Sequence, residues 1–342
     1  MSPPSGFQPA SERASLAGCT TSPSTVFDVA LLDLDGVLYL GTEPVPHAVD
    51  ALAAAQASGM RREYVTNNAL RTPDEVAALL NGLGISATTA QIVTSAQAVA
   101  TLIAERFPAG TRVLVAGGAG LTAALEEVRL VPITGADDDP AAVVLGYDPT
   151  LTYARLAEAA LAVHRGAVFY AANRDATVPT PRGPLPGMGA IAAVVVTATG
   201  VEPLVAGKPE RALHAESIRR SNAARPLVVG DRLDTDIEGA RRAGTPSLLV
   251  LTGVTDIGQL IAAAPERRPD LIARDLRGLN NPHPAASDGR CGAAVARYDV
   301  ATRTVRVESG GADLDDRVRA AVSAAWQAAD AGLQVVGVDG LE

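Results

Sequence analysis

The residues best suited to chemistry in this chain are two aspartates separated by one residue, Asp33 and Asp35, in the run FDVALLDLDGVLY from Phe27 to Tyr39. Carboxylates this close repel unless a cation neutralises them or one keeps its proton. Mg²⁺ takes carboxylate, carbonyl and water oxygens in an octahedron, so a cation site is the expected remedy. Three further polar groups accompany the pair: Thr66-Asn67-Asn68, Lys208 before Pro209, and Asp231 with Asp234 and Asp236. Together they suit phosphoryl transfer, which needs in-line positioning and charge neutralisation more than elaborate acid–base work.

In that chemistry Asp33 is the expected nucleophile, forming an aspartyl-phosphate and dividing hydrolysis into two easier steps. Asp35 is the expected acid–base, protonating the leaving alkoxide and then deprotonating the attacking water. Asp33 and Asp231 are read as metal ligands, with the Asp35 backbone carbonyl a third. Asp236 is read as lying just outside them, orienting water or Lys208. The Thr66 hydroxyl and the Asn67 backbone N–H would hold phosphate oxygens, and Lys208 would offset charge on Asp33 and the phosphate. Asp234 is left as a solvated or capping acid. Each signal alone has a plain alternative: DLDG and TNN as turns, Lys208 as a surface lysine. An EF-hand loop is excluded, because the run continues into VLYLG with no further Asp or Asn ligands. Four such signals in order, each after an apolar run, make the joint plain reading untenable.

The elements that must position these groups follow an α/β pattern. Val29 to Leu32 is a short apolar run ending in turn residues, as in a strand buried on both faces of a parallel sheet. In such sheets reactive groups gather at the carboxyl ends of the strands. Val49 to Met60 has helical spacing; Glu63 to Val65 reads as a strand; Thr72 and Pro73 open another helix. Gln91 to Arg106 reads as an amphipathic helix. Residues from about 110 to 200 repeat a smaller α/β pattern, including a Gly117–Gly120 turn. That turn is not GxGxxG, and its plain reading is packing rather than a nucleotide site. TVPTPRGPLPGMGA is a Pro/Gly-rich loop of functional length. The larger pattern resumes near residue 200, with a strand at Leu227 to Val229 and a helix closed at Gly244. Beyond about residue 280 come strand-like runs at Ala293 to Tyr298 and Thr304 to Glu308. A helix at Asp313 to Ala331 and a strand at Gln334 to Val338 follow.

Composition sets the outer bounds. Hydrophobic residues make up 47% of the 342 and aromatics only 3%, favouring Ala/Val/Leu-packed α/β layers over an aromatic-rich sandwich. The net charge of −9, with no basic stripe, argues against a nucleic-acid partner. No apolar run approaches the ~20 residues of a membrane span, and no basic-then-apolar leader is present, so a cytoplasmic protein is expected. Cys19 and Cys291 do not suggest a disulfide framework. Residues 1–25, rich in Ser, Pro, Thr and Gly, are expected to be disordered.

DLDGVLYLG, VTNNA, AGKP and GDRLDTDIEGA resemble the four motifs of the haloacid dehalogenase superfamily, specifically its NagD-like phosphatases. The resemblance implies a doubly wound parallel-sheet core over residues 26–95 and 201–280 and a large α/β cap over 96–200. Residues 281–342 then form a small α+β appendage, read as structural or as serving a homo-oligomer. It also implies Mg²⁺ dependence and a small phosphomonoester as partner. By likeness to the family's motif and cap-to-core segment, Asn68, Asn173 and Asp175 are substrate-lining candidates. Within the family, the later motifs look most like actinobacterial glycerol 3-phosphate phosphatases. The alternatives are 2-phosphoglycolate, pyridoxal phosphate, a nucleoside monophosphate or nitrophenyl phosphate. A phospho-acceptor signalling module is a different class, disfavoured by Asp35 and by the cap-sized insertion. A phosphomutase or a vestigial binding protein is a third.

Overall fold

In the computed structural model, Val29–Leu32 is a strand whose four residues are all buried. Its parallel neighbour is Pro226–Gly230, in a register that sets Leu32 opposite Val229. Ser247–Val250 and Leu271–Ala273 extend the parallel sheet beyond it. Nearly every side chain in these strands is apolar, as strands covered on both faces require. The structure describes residues 4–11, 14–178, 180, 182–308 and 313–341. The chain divides into two units, 1–63 with 221–342 and 64–220.

The first unit also carries a mixed sheet formed late in the chain. Ala286–Ser287, Arg290–Cys291, Ala294–Asp299 and Thr304–Glu308 pair antiparallel in sequence, and Gly337–Asp339 adds parallel to the last. Helix Leu314–Asp330 packs on this sheet, and the two share one apolar core with Leu249, Leu260 and Ile272 of the parallel-sheet layer. Trp326 is fully buried there and its Nε1–H donates to the Leu260 carbonyl at 2.9 Å. Arg268 covers the same indole at 5.1 Å while pairing with Asp330. This late segment is therefore built into the core of its unit.

The expectation of disorder over residues 1–25 gives way wherever those residues are described; 1–3 and 12–13 lie outside the described residues. Phe7, Leu16, Ala17 and Cys19 are buried, and Phe7 meets Phe27 edge-on at 5.4 Å. Leu16 bonds the Ala286 carbonyl, and Cys19 and His283 exchange backbone hydrogen bonds. A polar composition concealed this because the partners lie some 260 residues away.

The second unit contains a five-stranded parallel sheet in the order Leu204–Val205, Val168–Ala171, Ala142–Leu145, Arg112–Ala116, Val131–Ile133. Arg61–Thr66 carries the chain into this unit, where its end pairs parallel with Ile92–Thr94. That last strand corrects the single helix read over Gln91 to Arg106. Ile92, Val93 and Thr94 are β-branched and suit a strand. Thr94 then caps helix Ser95–Ala104 through a reciprocal bond with Gln97. Thr72 caps Pro73–Gly82 in the same way with Glu75. The Gly-rich turn is packing. A Cβ on Gly118 would stand 2.4 Å from Leu70, and one on Gly120 2.4 Å from the Arg71 carbonyl. Among the described residues no helix is long and apolar enough to cross a membrane.

His283 gives the first unit a pH dependence. It is 1% exposed, its Nε2–H donates to the Gly278 carbonyl at 2.7 Å, and Nδ1 faces the Arg319 guanidinium at 3.0 Å. Burial, then the Arg319 charge, push its pKa down to about 4. The unfolded chain takes the proton near pH 6.5, so below that pH it binds more protons than the folded one. Stability is thus expected to fall as pH drops through this window, His283 contributing about 2–3 kcal/mol of the loss by pH 4. Denaturant titrations of the protein and of His283→Gln across pH 7 to 4 should show a shallower decline in the variant. Parallel declines would contradict this.

Candidate active site

Why aspartates from opposite ends of the sequence meet follows from the sheet. Leu32 and Val229 lie level in adjacent parallel strands, and the Asp33 N–H donates to the Val229 carbonyl at 2.9 Å. Asp33 therefore leaves its strand beside Gly230-Asp231. One ligand oxygen from each of Asp33, Asp231 and Asp236 falls within 4.8 Å of the others. Asp33 is half-buried; Asp231 and Asp236 are each 1% exposed.

Backbone geometry holds this cluster. The chain after Arg232 makes a wider π turn, Leu233–Ile237, before helix Glu238–Ala243, and the turn brings Asp236 back over Gly230. A Cβ on Gly230 would sit 2.2 Å from the Asp236 Cβ. The Arg232 N–H donates to Asp236 Oδ2 at 3.1 Å and the Val254 N–H to Asp231 Oδ2 at 2.7 Å. Around Asp231 two glycines form a cradle. A Cβ on Gly36, whose φ is +80°, would lie 2.5 Å from Asp231 Oδ2, and one on Gly253 2.0 Å from it. The Thr252 hydroxyl ties the two glycine segments by donating to the Gly36 carbonyl at 2.6 Å.

Three converging carboxylates with no nitrogen or sulfur donor among them fit a hard, oxygen-seeking divalent cation. Asp35 stands apart from the cluster. Its side chain is exposed, with Leu34 buried between it and Asp33, and the Tyr39 hydroxyl donates to it at 3.4 Å. Asp234 pairs with Arg232 at 2.9 Å. Burial alone would raise its carboxyl, but the guanidinium holds it below the usual range.

In the second unit, Thr66 ends strand Arg61–Thr66 and is 5% exposed. Its hydroxyl accepts from the Asn68 N–H at 3.1 Å. Asn67 Oδ1 accepts from the Lys208 N–H at 2.8 Å, and its Nδ2 donates to Asp175 and to the Lys208 carbonyl. Lys208 is 4% exposed, with Nζ 3.5 Å from the Val65 carbonyl. His214, on helix Arg211–Ser221, is 1% exposed. Neither of its ring nitrogens has a hydrogen-bond partner among the described residues. Burial and the Lys208 charge push its pKa down to about 3, so the ring is neutral.

A family model for haloacid dehalogenase-like hydrolases matches residues 30–130, and one for related hydrolases matches 205–279. The D-glycerol 3-phosphate phosphatase of Mycobacterium tuberculosis is 44% identical over 90% of this chain and 88% of its own. The chain belongs to the haloacid dehalogenase-like hydrolases. A crystal structure of the glycerol phosphate phosphatase from that organism, in complex with magnesium, superposes with a TM-score of 0.84 at 43% identity. That match covers 94% of this chain and 95% of the other. The 4-nitrophenylphosphatase of Thermotoga maritima gives 0.70 at 30% identity, over 75% of this chain and 97% of its own.

Several candidate residues of this hydrolase are also tied to neighbouring groups. Asn173 is 3% exposed, and its carboxamide donates to the Asn67 carbonyl and accepts from the Asp175 N–H. Those bonds support Asn67. Asn68 Oδ1 is taken by the Leu70 and Arg71 amides, an Asx turn that opens the next segment. Asp236 stands within the carboxylate cluster. Sequence reasoning missed the Gly253-Val254 support of Asp231, although the LTG turn after a buried strand was its signal. It also missed His214, a lone helical histidine with no motif around it.

The glycine cradle yields a direct expectation. Gly253→Ala drives a methyl into the Asp231 carboxylate, so activity should fall at least about 30-fold, on the scale of a displaced catalytic group. Its melting temperature should change little. Steady-state kinetics with a thermal melt checks both, and a fully active variant would mean that Asp231 need not sit where it does.

Proposed function

We propose that this hydrolase is a Mg²⁺-dependent phosphatase of small phosphomonoesters, with glycerol 3-phosphate as substrate. The observation that carries the reading is the cluster formed by Asp33 and Asp231, at the ends of adjacent parallel strands, with Asp236 from the turn that follows. The substrate is supported by the close relative named D-glycerol 3-phosphate phosphatase, and the metal by the magnesium complex of such an enzyme. We read residues 26–95 and 201–280 as the catalytic core, 96–200 as the cap and 281–342 as the appendage, in a cytoplasmic enzyme.

Asp33, Asp231 and Asp236 would hold the cation, the Asp35 backbone carbonyl adding a neutral ligand. When bound, Mg²⁺ supplies the positive charge that lets a carboxylate approach a phosphate. An Asp33 oxygen attacks phosphorus, forming an acyl phosphate as the bond to the glycerol oxygen breaks. Asp35 gives its proton to the departing alkoxide. The Asp35 carboxylate then takes a proton from water, whose oxygen attacks phosphorus and releases Asp33 and inorganic phosphate. Thr66 and the Asn67 N–H hold phosphoryl oxygens, and Lys208 offsets their charge.

Phosphate release should be measured on glycerol 3-phosphate, phosphoglycolate, pyridoxal phosphate, nucleoside monophosphates and nitrophenyl phosphate. Preference for glycerol 3-phosphate, abolished by chelator and by Asp33→Asn, is expected. Asp35→Asn should cost about 10²- to 10⁴-fold on glycerol 3-phosphate but less on nitrophenyl phosphate, whose leaving group needs no proton. Activity confined to nitrophenyl phosphate would overturn the substrate; release insensitive to Asp33→Asn would overturn the mechanism.

A further inference from the structure

We infer that the side chain of Asn67 is a positioning residue that fixes Lys208 by clamping its main chain; the inference rests on the phosphatase reading of Lys208. Both main-chain groups of Lys208 pair with one carboxamide. The Lys208 N–H donates to Asn67 Oδ1 at 2.8 Å, and Asn67 Nδ2 donates to the Lys208 carbonyl at 3.2 Å. The amide thus acts as an added strand residue, joining positions 141 apart in sequence. Its orientation is settled, since Nδ2 also faces the Asp175 carboxylate at 3.2 and 3.3 Å while Oδ1 faces a donor.

Asn67 is itself held. Its carbonyl accepts from the Ser95 hydroxyl at 2.6 Å and from Asn173 Nδ2 at 2.7 Å. Gly207 allows the approach, because a Cβ there would stand 2.8 Å from Asn67 Oδ1 and 2.6 Å from the Ala172 carbonyl. A lysine on a flexible four-carbon stem is a mobile point charge, and its 4% exposure leaves the main chain to set where the stem begins. Asn67 is therefore needed for its side chain as well as for its backbone N–H. An aspartate would keep the acceptor, lose the donor and set a second carboxylate against Asp175.

A double-mutant cycle on the full chain tests the clamp, with nitrophenyl phosphate as probe and kcat, KM and melting temperature recorded. Asn67→Ala should lower kcat about 30- to 100-fold, the cost of a displaced catalytic group, with a smaller effect on KM. Combined with Lys208→Met, it should cost nothing beyond Lys208→Met alone, because the clamp acts only through that ammonium. Asn67→Asp serves the same cycle should Asn67→Ala fail to fold. Losses that multiply in the double variant, or full activity in Asn67→Ala, overturn the clamp while leaving the phosphatase reading intact. Full activity of Lys208→Met would instead defeat that reading of Lys208, and the clamp with it.

Discussion

Three carboxylate oxygens within 4.8 Å of one another set the terms for the rest of the first unit. Two such charges repel by about 3 kcal/mol at an effective dielectric of roughly 20, and burial of Asp231 and Asp236 sharpens the conflict. The chain meets it first with geometry. Parallel strands in register deliver Asp33 and Asp231 side by side, a π turn returns Asp236, and the Val254 and Arg232 N–H groups each donate to a carboxylate. Gly36 and Gly253 leave the space that Asp231 needs. Backbone dipoles offset part of that repulsion, and an all-oxygen cluster of this kind suits a hard divalent cation.

The second unit relies on carboxamide and hydroxyl groups. Asn67, Asn173 and Ser95 form a carboxamide and hydroxyl network in which donors and acceptors are matched, and Asn67 holds the buried Lys208 by its peptide. The neutral His214 beside Lys208 adds no competing charge.

Local chemistry and the gathering of parallel strand ends at one edge were legible in the sequence; other long-range contacts were not. Val29–Leu32 was readable because a run buried on both faces needs four apolar residues in succession. The meeting of Asp33 with Asp231 was readable because parallel strands send their ends to one edge. The packing at residues 4–25 was hidden, since Leu16 and Cys19 find their partners at Ala286 and His283. The Asn67 clamp was hidden for the same reason, as nothing near Lys208 in sequence announces an amide from position 67. Ile92–Thr94 was mistaken for helix because its apolar residues fit either period, and only its β-branching favoured the strand.

The central claim is that the acid cluster is built for a cation, and a Mg²⁺ titration followed by thermal unfolding addresses it directly. Added Mg²⁺ is expected to raise the melting temperature of the protein in a saturable way. Asp231→Asn, which removes one of the three carboxylates, is expected to lose at least about tenfold in apparent affinity. A melting temperature indifferent to Mg²⁺, or an equal shift in the variant, would contradict it.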